Sequence, residues 1–486
     1  MVSWNILDNQ NDINQFLEMI QPVQTNPDKK LTVAIAGAGG YIGRWFIHKF
    51  SEKYNIVALS RQQVKENPNP AVTWRQVELY SITSTLDALK GVDVAIYLVH
   101  SMNASTRLNQ GSFEDTDLLL ADNFSRAAAI NNVKQIIYLG GLLPDEPEEK
   151  LSRHLKSRLE VEQTLGSRKA KLTALRASII VGPGGSSFDM IKNLVRRLPV
   201  LMCPKWTESM TQPISLRDTL DIIDTCIGNP NVFGKAIDIG SPEIMSYRNM
   251  LERTAKVMGK KRLVFSIPVF SLGLSKFWVG LFGDSPPQLV SPLVESLKHT
   301  LTVSPELRFR EKEIEYLNYE ESVNEALHSK EKPILPTFHR VKGVKNTVRS
   351  IQRMPNKNRH SALWVANRYI IWLPNFLRFL ITGKTNERGD LGFYLLWGKK
   401  PMLQLTLITD RSDHERQLLY ITGGWLVKRF DYGWLEFREV LNSRYIISGI
   451  HEFVPTLPWL LYVNTQAKLH LWVMNSFRKY LEKRGD

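Results

Sequence analysis

Four glycines separate two apolar segments near the start of the chain, in the stretch LTVAIAGAGGYIGRWFIHKF (residues 31–50). Three of them have the spacing GxxGxxG, which between a strand and a helix allows a tight turn, close approach to a pyrophosphate and close helix–strand packing. The N–H groups at the start of the helix would face the phosphates. The sequence therefore predicts a dinucleotide site, and the alternative is a glycine turn without a ligand. Its predicted contacts in this turn are Gly37, Ala38, Gly39, Gly40, Tyr41, Ile42 and Gly43.

The end of the second predicted strand, IVALSRQ, indicates which dinucleotide to expect. An acidic residue there would bind the ribose 2′-hydroxyl of NAD, but this chain has Ser60 and Arg61. A guanidinium matches a 2′-phosphate in charge and in donor geometry. NADP(H) is therefore the expected cofactor, with NAD as the alternative and Arg61 as the main discriminator. The other interpretation of Arg61 is an ordinary surface residue.

The elements that would position these residues alternate between strands and helices. Strand-like runs rich in Val, Ile and Leu lie at 31–37, 55–60, 72–79, 92–100, 133–141, 172–182 and 235–241. Helical patterns lie at 43–53, 112–132, 150–167, 213–229 and 246–260. Such alternation predicts an α/β fold in which helices cover both faces of a parallel sheet, which here is a doubly wound sheet of the Rossmann type.

The pattern changes after a charged, proline-containing stretch near residue 330. One or two helices at 362–380, broken near Pro374, precede strand-like runs at 391–398, 402–410, 416–430, 433–441 and 444–454, and a helix at 467–484 closes the chain. This order predicts a second, α+β domain. We therefore expect an N-terminal extension at 1–30, a dinucleotide-binding domain at 31–330 and a basic domain at 331–486.

Several segments together resemble the NmrA-like branch of atypical short-chain dehydrogenases/reductases, and most closely the bacterial YbjT-like proteins. The resemblance rests on the glycine spacing followed by YIG and on the segments YLVHSM (97–102), LRASIIVGPGGSSF (175–188), LPVLMCPKW (198–206) and TQPISLRD (211–218). It implies a C-terminal domain of unknown function. It also implies that Glu78 and Leu79 lie near the adenine, and Leu98, Val99 and His100 near the nicotinamide ribose. The C-terminal pattern itself resembles a helix-grip domain of the START or Bet v 1 type.

Reductases of this superfamily use Tyr-x-x-x-Lys for proton transfer, and none of the fifteen tyrosines has a lysine four residues later. His154 and Arg158 stand at the corresponding places of the helical stretch HLKSRLEVEQ. One interpretation makes His154 a proton donor supported by Arg158, and these two are the candidate catalytic residues. The other, which we favour, makes both of them surface residues. His100 likewise either lines the cofactor cleft or caps a strand end.

Two functions from different classes follow. The first is an NADP(H)-dependent oxidoreductase acting on an unknown small apolar carbonyl or unsaturated substrate. The second is a non-catalytic NADP(H)-dependent sensor or scaffold protein. The missing Tyr-x-x-x-Lys favours the second, whereas an additional domain that could hold a small-molecule ligand favours the first. Neither the ten histidines nor the two cysteines show metal-ligand spacing, so no metal site is expected.

Charge and hydropathy bear on location and partners. The net charge is +15, and residues 331–486 carry 25 Lys and Arg against 12 Asp and Glu. No secretory signal, disulfide framework or membrane span is expected, so we predict a cytoplasmic protein. The basic stretch VKGVKNTVRSIQRMPNKNRH (341–360) and the apolar stretch FSLGLSKFWVGLF (270–282) suggest a peripheral contact with an anionic membrane. The alternative is a solvated basic face, and nucleic acid is not an expected partner.

Overall fold

The computed structural model describes residues 30–100, 108–267, 295–339, 347–430 and 433–483. The predicted N-terminal helix and the apolar stretch 270–282 lie outside these residues. The strands are β1 Thr32–Ala36, β2 Asn55–Ser60, β3 Val64–Glu66, β4 Val72–Gln76, β5 Val94–Tyr97, β6 Leu108–Gln110, β7 Gln135–Gly141, β8 Lys171–Ala177, β9 Ile180–Val181, β10 Val200–Pro204, β11 Met210–Thr211, β12 Ile214–Ser215, β13 Lys235–Ile239, β14 Met245–Ser246, β15 Leu263–Ile267, β16 Thr337–Phe338, β17 Val348–Pro355, β18 Ile381–Thr385, β19 Leu391–Leu395, β20 Leu403–Leu407, β21 Arg416–Gly423, β22 Trp434–Val440 and β23 Tyr445–Phe453.

The α-helices of the described residues alternate with the strands of the first part and flank the strands of the second. They are α1 Tyr41–Phe50, α2 Ile82–Ala88, α3 Phe113–Ile130, α4 Arg153–Leu165, α5 Ser186–Arg197, α6 Leu216–Cys226, α7 Tyr247–Val257, α8 Tyr319–His328, α9 Ala362–Phe376, α10 Trp459–Asn464 and α11 Gln466–Lys483. No helix of the described ranges is long and apolar enough to cross a lipid bilayer.

The first sheet has seven strands in the order β13-β8-β7-β5-β1-β2-β4, and each neighbouring pair is parallel. All seven strands predicted for this part of the chain lie in it. Apolar clusters cover both faces of the sheet, as expected for a parallel sheet with helical crossovers. The chain order reverses between β1 and β5, and ligands of such sheets bind at this switch point, beyond the carboxyl ends of the strands.

The second sheet has eight strands in the order β18-β19-β20-β21-β22-β23-β17-β6. All neighbouring pairs are antiparallel except β17 and β6. Helix α9 packs on the sheet through Tyr369, whose ring lies 5.3 Å from that of Phe437 in β22. Helix α11 packs against α9 through Phe477, whose ring lies 5.0 Å from that of Tyr369. The predicted α+β fold of this part is confirmed, while its likeness to a helix-grip domain stays a prediction.

The sequence left one or two helices open at 362–380; the structure has one, α9, with Pro374 in its last turn. Two other features of this part were predicted wrongly. The runs predicted as strands to 398 and 430 end earlier, at Leu395 and Gly423. The basic stretch 341–360 contains strand β17, whose Arg349 and Arg353 are ion-paired with acidic residues of the protein. These two arginines therefore do not form the proposed membrane contact.

The two sheets are joined through helix α3. Ile351, Val440 and Ile447 of the second sheet belong to the same apolar core as Leu118 and Phe124 of α3. In addition, strand β6 comes from the first part of the chain and pairs with β17 in the second sheet. The two parts thus share a core. The domain boundaries drawn from the sequence stay a prediction.

Charged side chains are also buried at this junction. We call the following six the buried charge cluster: Asp122, Arg126, Arg416, Glu436, Arg438 and His451. Arg438 donates to Asp122 Oδ2 at 2.8 Å and to Glu436 Oε2 at 2.7 Å, and Arg416 donates to Glu436 Oε2 at 3.0 Å. Burial alone would raise the pKa of Glu436, but Arg438 and Arg416 hold it well below its usual range. Glu436 is therefore ionised and links β22 to β21.

Candidate functional site

The glycine turn lies at the carboxyl end of β1, where three glycines have different structural reasons to be there. Gly37 has a φ of +91°, and a Cβ on it would lie 3.1 Å from the Leu98 carbonyl oxygen. A Cβ on Gly43 would lie 2.5 Å from the Gly37 carbonyl oxygen, so a side chain there would push α1 away from the turn. A Cβ on Gly39 would meet no heavy atom of the described residues within 4 Å. Gly37 and Gly43 are thus required by the backbone, while Gly39 borders open space.

Helix α1 begins directly after this turn, as predicted. Its N-cap is Gly40, which supplies no side-chain acceptor for the first N–H groups, and its first turn contains no acidic residue. The Gly40 N–H donates to the Gly37 carbonyl oxygen at 2.9 Å and closes the turn. The N–H groups of the first helical turn and the positive end of the helix dipole can therefore interact with an anionic group.

The predicted loop IIVGPGG packs against the same helix. The Trp45 indole N–H donates to the Pro183 carbonyl oxygen at 3.2 Å. Cβ atoms on Gly182 and Gly185 would lie within 3.0 Å of atoms of Tyr41. The Tyr41 hydroxyl is buried and has no hydrogen-bond partner among the described residues. This loop therefore fixes the position of Tyr41 beside the glycine turn.

Ser60 is the last residue of β2, the strand beside β1, and Arg61 follows it. Ser60 Oγ accepts a hydrogen bond from the Gln62 N–H at 3.1 Å, and the Arg61 side chain is exposed. The Arg61 carbonyl oxygen accepts from the Gln76 side chain at 3.3 Å. This geometry is compatible with a role of Arg61 in binding a 2′-phosphate and equally with an ordinary surface residue.

Glu78 and Leu79, the predicted adenine neighbours, contact helix α3 and the second sheet. Leu79 is buried, and its carbonyl oxygen accepts from the Asn123 side chain at 2.8 Å. The guanidinium of Arg349, in β17, lies 3.2 Å from Glu78 Oε2, pairs with Glu452 and lies 3.7 Å from the centre of the Tyr80 ring. Sequence reasoning missed Arg349 because it lies 271 positions after Glu78 and nothing in the sequence signals the contact.

Leu98, Val99 and His100 follow β5, on the other side of β1. The Leu98 N–H donates to the Ala36 carbonyl oxygen at 2.9 Å, which places this segment beside the glycine turn. His100 is open to solvent, yet the surrounding protein and the nearby Arg158 lower its pKa. His154 also interacts electrostatically with both Arg158 and His100. The structure thus brings His100 close to His154 and Arg158, which lie one turn apart on helix α4.

The interpretation of Arg158 as a surface residue is wrong. Its side chain is buried, and its Nη2 donates to Asp117 Oδ2 at 2.8 Å. The Tyr138 hydroxyl donates to the Arg158 carbonyl oxygen at 3.3 Å. Sequence reasoning missed Asp117 and Tyr138, which lie on α3 and β7. Because Arg158 is fixed by a carboxylate, it can position its neighbours and contribute positive charge, but it does not titrate.

His154 is only partly exposed, and burial, Arg158 and His100 lower its pKa to about 3. Its Nδ1 is buried without a hydrogen-bond partner among the described residues. The imidazole is therefore neutral at physiological pH. A neutral imidazole can hydrogen-bond to a ligand but is a far weaker proton donor than an imidazolium.

Two cavities lie at the junction of the two sheets rather than at the glycine turn. One, of about 390 Å³, is lined by Gln110, Gln352 and Arg353 together with Met474 of α11. The other, of about 350 Å³, includes Arg353 and also Ser157 of α4. Polar atoms of Gln110, Gln352, Arg353 and Ser157 are buried without partners among the described residues. These cavities can therefore hold a small polar molecule or water.

A family model matches the part of the chain that contains this site. Residues 33–198 match the model of the NAD dependent epimerase/dehydratase family. The matched residues include the glycine turn, His100 and helix α4. The similarity supports a Rossmann-type unit and a nicotinamide dinucleotide as the type of cofactor.

Three curated proteins are similar to parts of the chain. Auxiliary protein GraX of Staphylococcus aureus is 33% identical over 113 residues, which are 23% of this chain and 37% of GraX. The UDP-glucose 4-epimerase of Vibrio cholerae is 20% identical over 298 residues, or 56% of this chain and 90% of the epimerase. Divinyl chlorophyllide a 8-vinyl-reductase of Zea mays is 22% identical over 287 residues, or 54% of this chain and 70% of the reductase. The match to GraX thus spans little more than a third of that protein.

Two solved structures are also similar to this chain. A nucleoside-diphosphate-sugar epimerase of Staphylococcus aureus is 16% identical with a TM-score of 0.48. The match covers 60% of this chain and 100% of the epimerase. The triphenylmethane reductase of Citrobacter, complexed with NADP(H), is 15% identical with a TM-score of 0.46, covering 61% of this chain and 100% of that one.

Proposed function

We propose that the protein binds NADP(H) at the glycine turn and transfers hydride to a small apolar acceptor. The observation that carries the proposal is the turn itself. Gly37 and Gly43 occupy positions that exclude a side chain, the first N–H groups of α1 have no side-chain cap, and the turn lies at the switch point of a parallel sheet. The preference for NADP(H) over NAD rests on Arg61, the cation beside this turn.

The state of His154 and Arg158 narrows the class of acceptor that we propose. His154 is neutral and Arg158 is paired with Asp117, so neither supplies a strong acid beside the cofactor. Reduction of a simple ketone needs a proton at the developing alkoxide. A conjugated acceptor delocalises the negative charge that hydride addition produces and can take its proton from water. We therefore favour an unsaturated carbonyl or quinone-like substrate over a simple ketone.

The experiment is to follow NADPH oxidation by the full chain against matched acceptors. A quinone and an α,β-unsaturated ketone should be reduced, while the saturated ketone of the same size should react far more slowly. Equal rates for the saturated and unsaturated ketones would contradict the preference. If NADPH binds but no acceptor is reduced, the proposed dinucleotide site stands and the proposed reductase activity is wrong.

A second candidate function is a non-catalytic NADP(H)-dependent sensor or scaffold. It is favoured by the contact between Arg349 of the second sheet and Glu78, which we propose to lie at the adenine end of the cofactor. Binding of NADP(H) could then change the junction of the two sheets. Amide hydrogen exchange of β17 should slow when NADPH is added if this candidate is right, and unchanged exchange would argue against it.

Our proposal also concerns the family, the cellular location and the domains of the protein. It places the chain with the NmrA-like, YbjT-like reductases, in the cytoplasm, with a C-terminal domain whose role is a peripheral contact with an anionic membrane. It keeps 31–330 and 331–486 as the two domains. The junction cavities are the proposed place for the small-molecule ligand.

A further inference from the structure

Exposed apolar side chains gather at one end of the second sheet. Three segments lie there: the turn 396–402 between β19 and β20, residues 424–430 after β21, and residues 454–461, which connect β23 to α10 and include the first residues of that helix. The end of α9 joins them through residues 378–380. We call the following residues the apolar rim: Phe379, Leu380, Leu396, Trp397, Trp425, Phe430, Leu457, Leu460 and Leu461.

Backbone hydrogen bonds show that these segments are neighbours. The Leu396 N–H donates to the Leu380 carbonyl oxygen at 3.1 Å. The Trp425 N–H donates to the Pro401 carbonyl oxygen at 3.1 Å, and the Lys428 N–H to the Val454 carbonyl oxygen at 2.8 Å. The apolar rim is therefore one continuous surface, although its members come from four separate stretches of the chain.

The members of the rim are far more exposed than apolar residues usually are. Trp397 is 92% exposed, Leu460 is 78% exposed and Phe379 is 75% exposed. Single exposed apolar residues are ordinary, but a contiguous group of large ones marks an interaction site. Trp397 stands at the tip of a tight turn, so this surface protrudes instead of forming a groove.

The charged residues within the four stretches that form the rim are all basic. Arg378, Lys399, Lys400, Lys428 and Arg429 lie within the four stretches, which contain no acidic residue. Between Glu452 and Glu482 the chain also carries no acidic residue, and the first acidic residue after Phe430 is Asp431. A protruding tryptophan with lysines two and three residues away suits the interface of an anionic bilayer, where the ring lies among headgroups and the ammonium groups meet lipid phosphates.

The opposite end of the same sheet is occupied by the first part of the chain. There, Arg444 donates to Gln163 of α4 at 2.8 Å, and Glu415 accepts from Arg168 at 2.7 Å. The turns at that end are thus held by the protein itself, and the apolar rim points away from this contact. A protein bound to lipid through the rim would keep helix α4 and the cofactor site accessible.

We propose that the apolar rim is the surface by which the protein docks on an anionic lipid bilayer. This inference rests on the membrane contact in our proposed function and names the residues that make it. Trp397 and its apolar neighbours would enter the interfacial region, and Lys399 and Lys400 would bind anionic headgroups. Binding would be reversible and salt-sensitive, because electrostatic attraction supplies part of the affinity.

The test is co-sedimentation of the full chain with vesicles of phosphatidylcholine and phosphatidylserine, and with vesicles of phosphatidylcholine alone. The wild type should bind the anionic vesicles more strongly, and Lys399→Glu/Lys400→Glu should weaken that binding roughly tenfold or more. Trp397→Ser should also weaken it. The matched controls are Arg388→Glu, in the turn at the other end of strand β19, and Ile130→Ser, an exposed apolar residue at the end of α3. Both should bind like the wild type.

Each of the other outcomes of the vesicle experiment would contradict one part of the proposal. If the wild type does not bind anionic vesicles, the membrane contact is wrong. If it binds but the rim variants bind equally well, the contact stands and the rim is not its surface. If light scattering shows a dimer that the rim variants abolish, without vesicle binding, the rim joins two copies of the chain. Unchanged NADPH affinity of the variants will show that they are folded and keeps this test separate from the cofactor site.

Discussion

The glycine turn and the buried charge cluster both fix parts of the chain in place, but by opposite means. The turn does so within seven residues, through positions that exclude a side chain. The cluster joins Asp122 to residues more than 300 positions later, and it does so with ion pairs taken out of water. The difference teaches that the ligand site is encoded locally, whereas the arrangement of the second sheet around it depends on long-range charge pairing. The following substitutions test that contrast.

The largest effect is expected at the buried charge cluster. Glu436→Gln removes the carboxylate shared by Arg416 and Arg438 and leaves their buried charges without it. The free energy of unfolding should fall by about 3–5 kcal/mol. The measurement is urea denaturation of the full chain. Glu482→Gln, which removes one partner of an exposed helical ion pair, is the control and should change stability by less than about 0.5 kcal/mol. Equal effects would show that the cluster does not hold the sheet.

Gly43→Ala should disturb the ligand site more than the fold. Its Cβ would lie 2.5 Å from the Gly37 carbonyl oxygen, so helix α1 must shift away from the turn. We expect NADPH affinity to fall by about a hundredfold, while the cost in stability stays near the 1–3 kcal/mol typical of overpacking. Calorimetric titration measures the affinity. Gly39→Ala meets no neighbour of the described residues within 4 Å and should fold normally. Unchanged affinity of Gly43→Ala would contradict a phosphate site at this turn.

The pH dependence of stability should report the neutral state of His154. Its pKa is lowered to about 3, below the value of an unfolded histidine near 6.5. Its contribution to stability is therefore complete above pH ~6.5 and is lost as the pH falls toward 3, because the unfolded chain binds the proton more readily. His154→Gln should flatten the stability profile between pH 7 and about 4. A profile with the same slope as the wild type would show that His154 is not held neutral.

The smallest effect is expected at Arg61, because its side chain is exposed. Arg61→Ala should reduce the ratio of NADPH to NADH affinity by roughly tenfold, the loss of one charge-assisted contact to a 2′-phosphate. Titration with both dinucleotides measures the ratio. Lys65→Ala removes a nearby exposed charge and should leave the ratio as it is. If Arg61→Ala also leaves it unchanged, Arg61 is an ordinary surface residue.

What could be predicted from the sequence follows the same contrast. The inner strands of the first sheet, such as β1 and β5, were predictable because a parallel sheet buries both faces and such strands are largely apolar. The turn at Gly37 was predictable because its glycines are adjacent in sequence. Strand β17 was not, because its Arg349 and Arg353 read as a solvated basic stretch until their partners, Glu78 and Asp115, are known.

The candidate site and the apolar rim show the same limit. His100, His154 and Arg158 could each be named from the sequence. Their grouping and the burial of Arg158 against Asp117 depend on how α3, α4 and the segment after β5 pack together in the fold. Trp397 and Trp425 continued an apolar, strand-like pattern, so they were placed in strands. The structure ends those strands at Leu395 and Gly423 and leaves both tryptophans in exposed turns.

The central claim is that the glycine turn binds NADP(H). Isothermal titration of the wild-type full chain with NADPH and with NADH, at equal ionic strength, tests it most directly. We expect saturable binding of one dinucleotide per chain, with NADPH binding more tightly than NADH. The absence of saturable binding of either dinucleotide would contradict the claim.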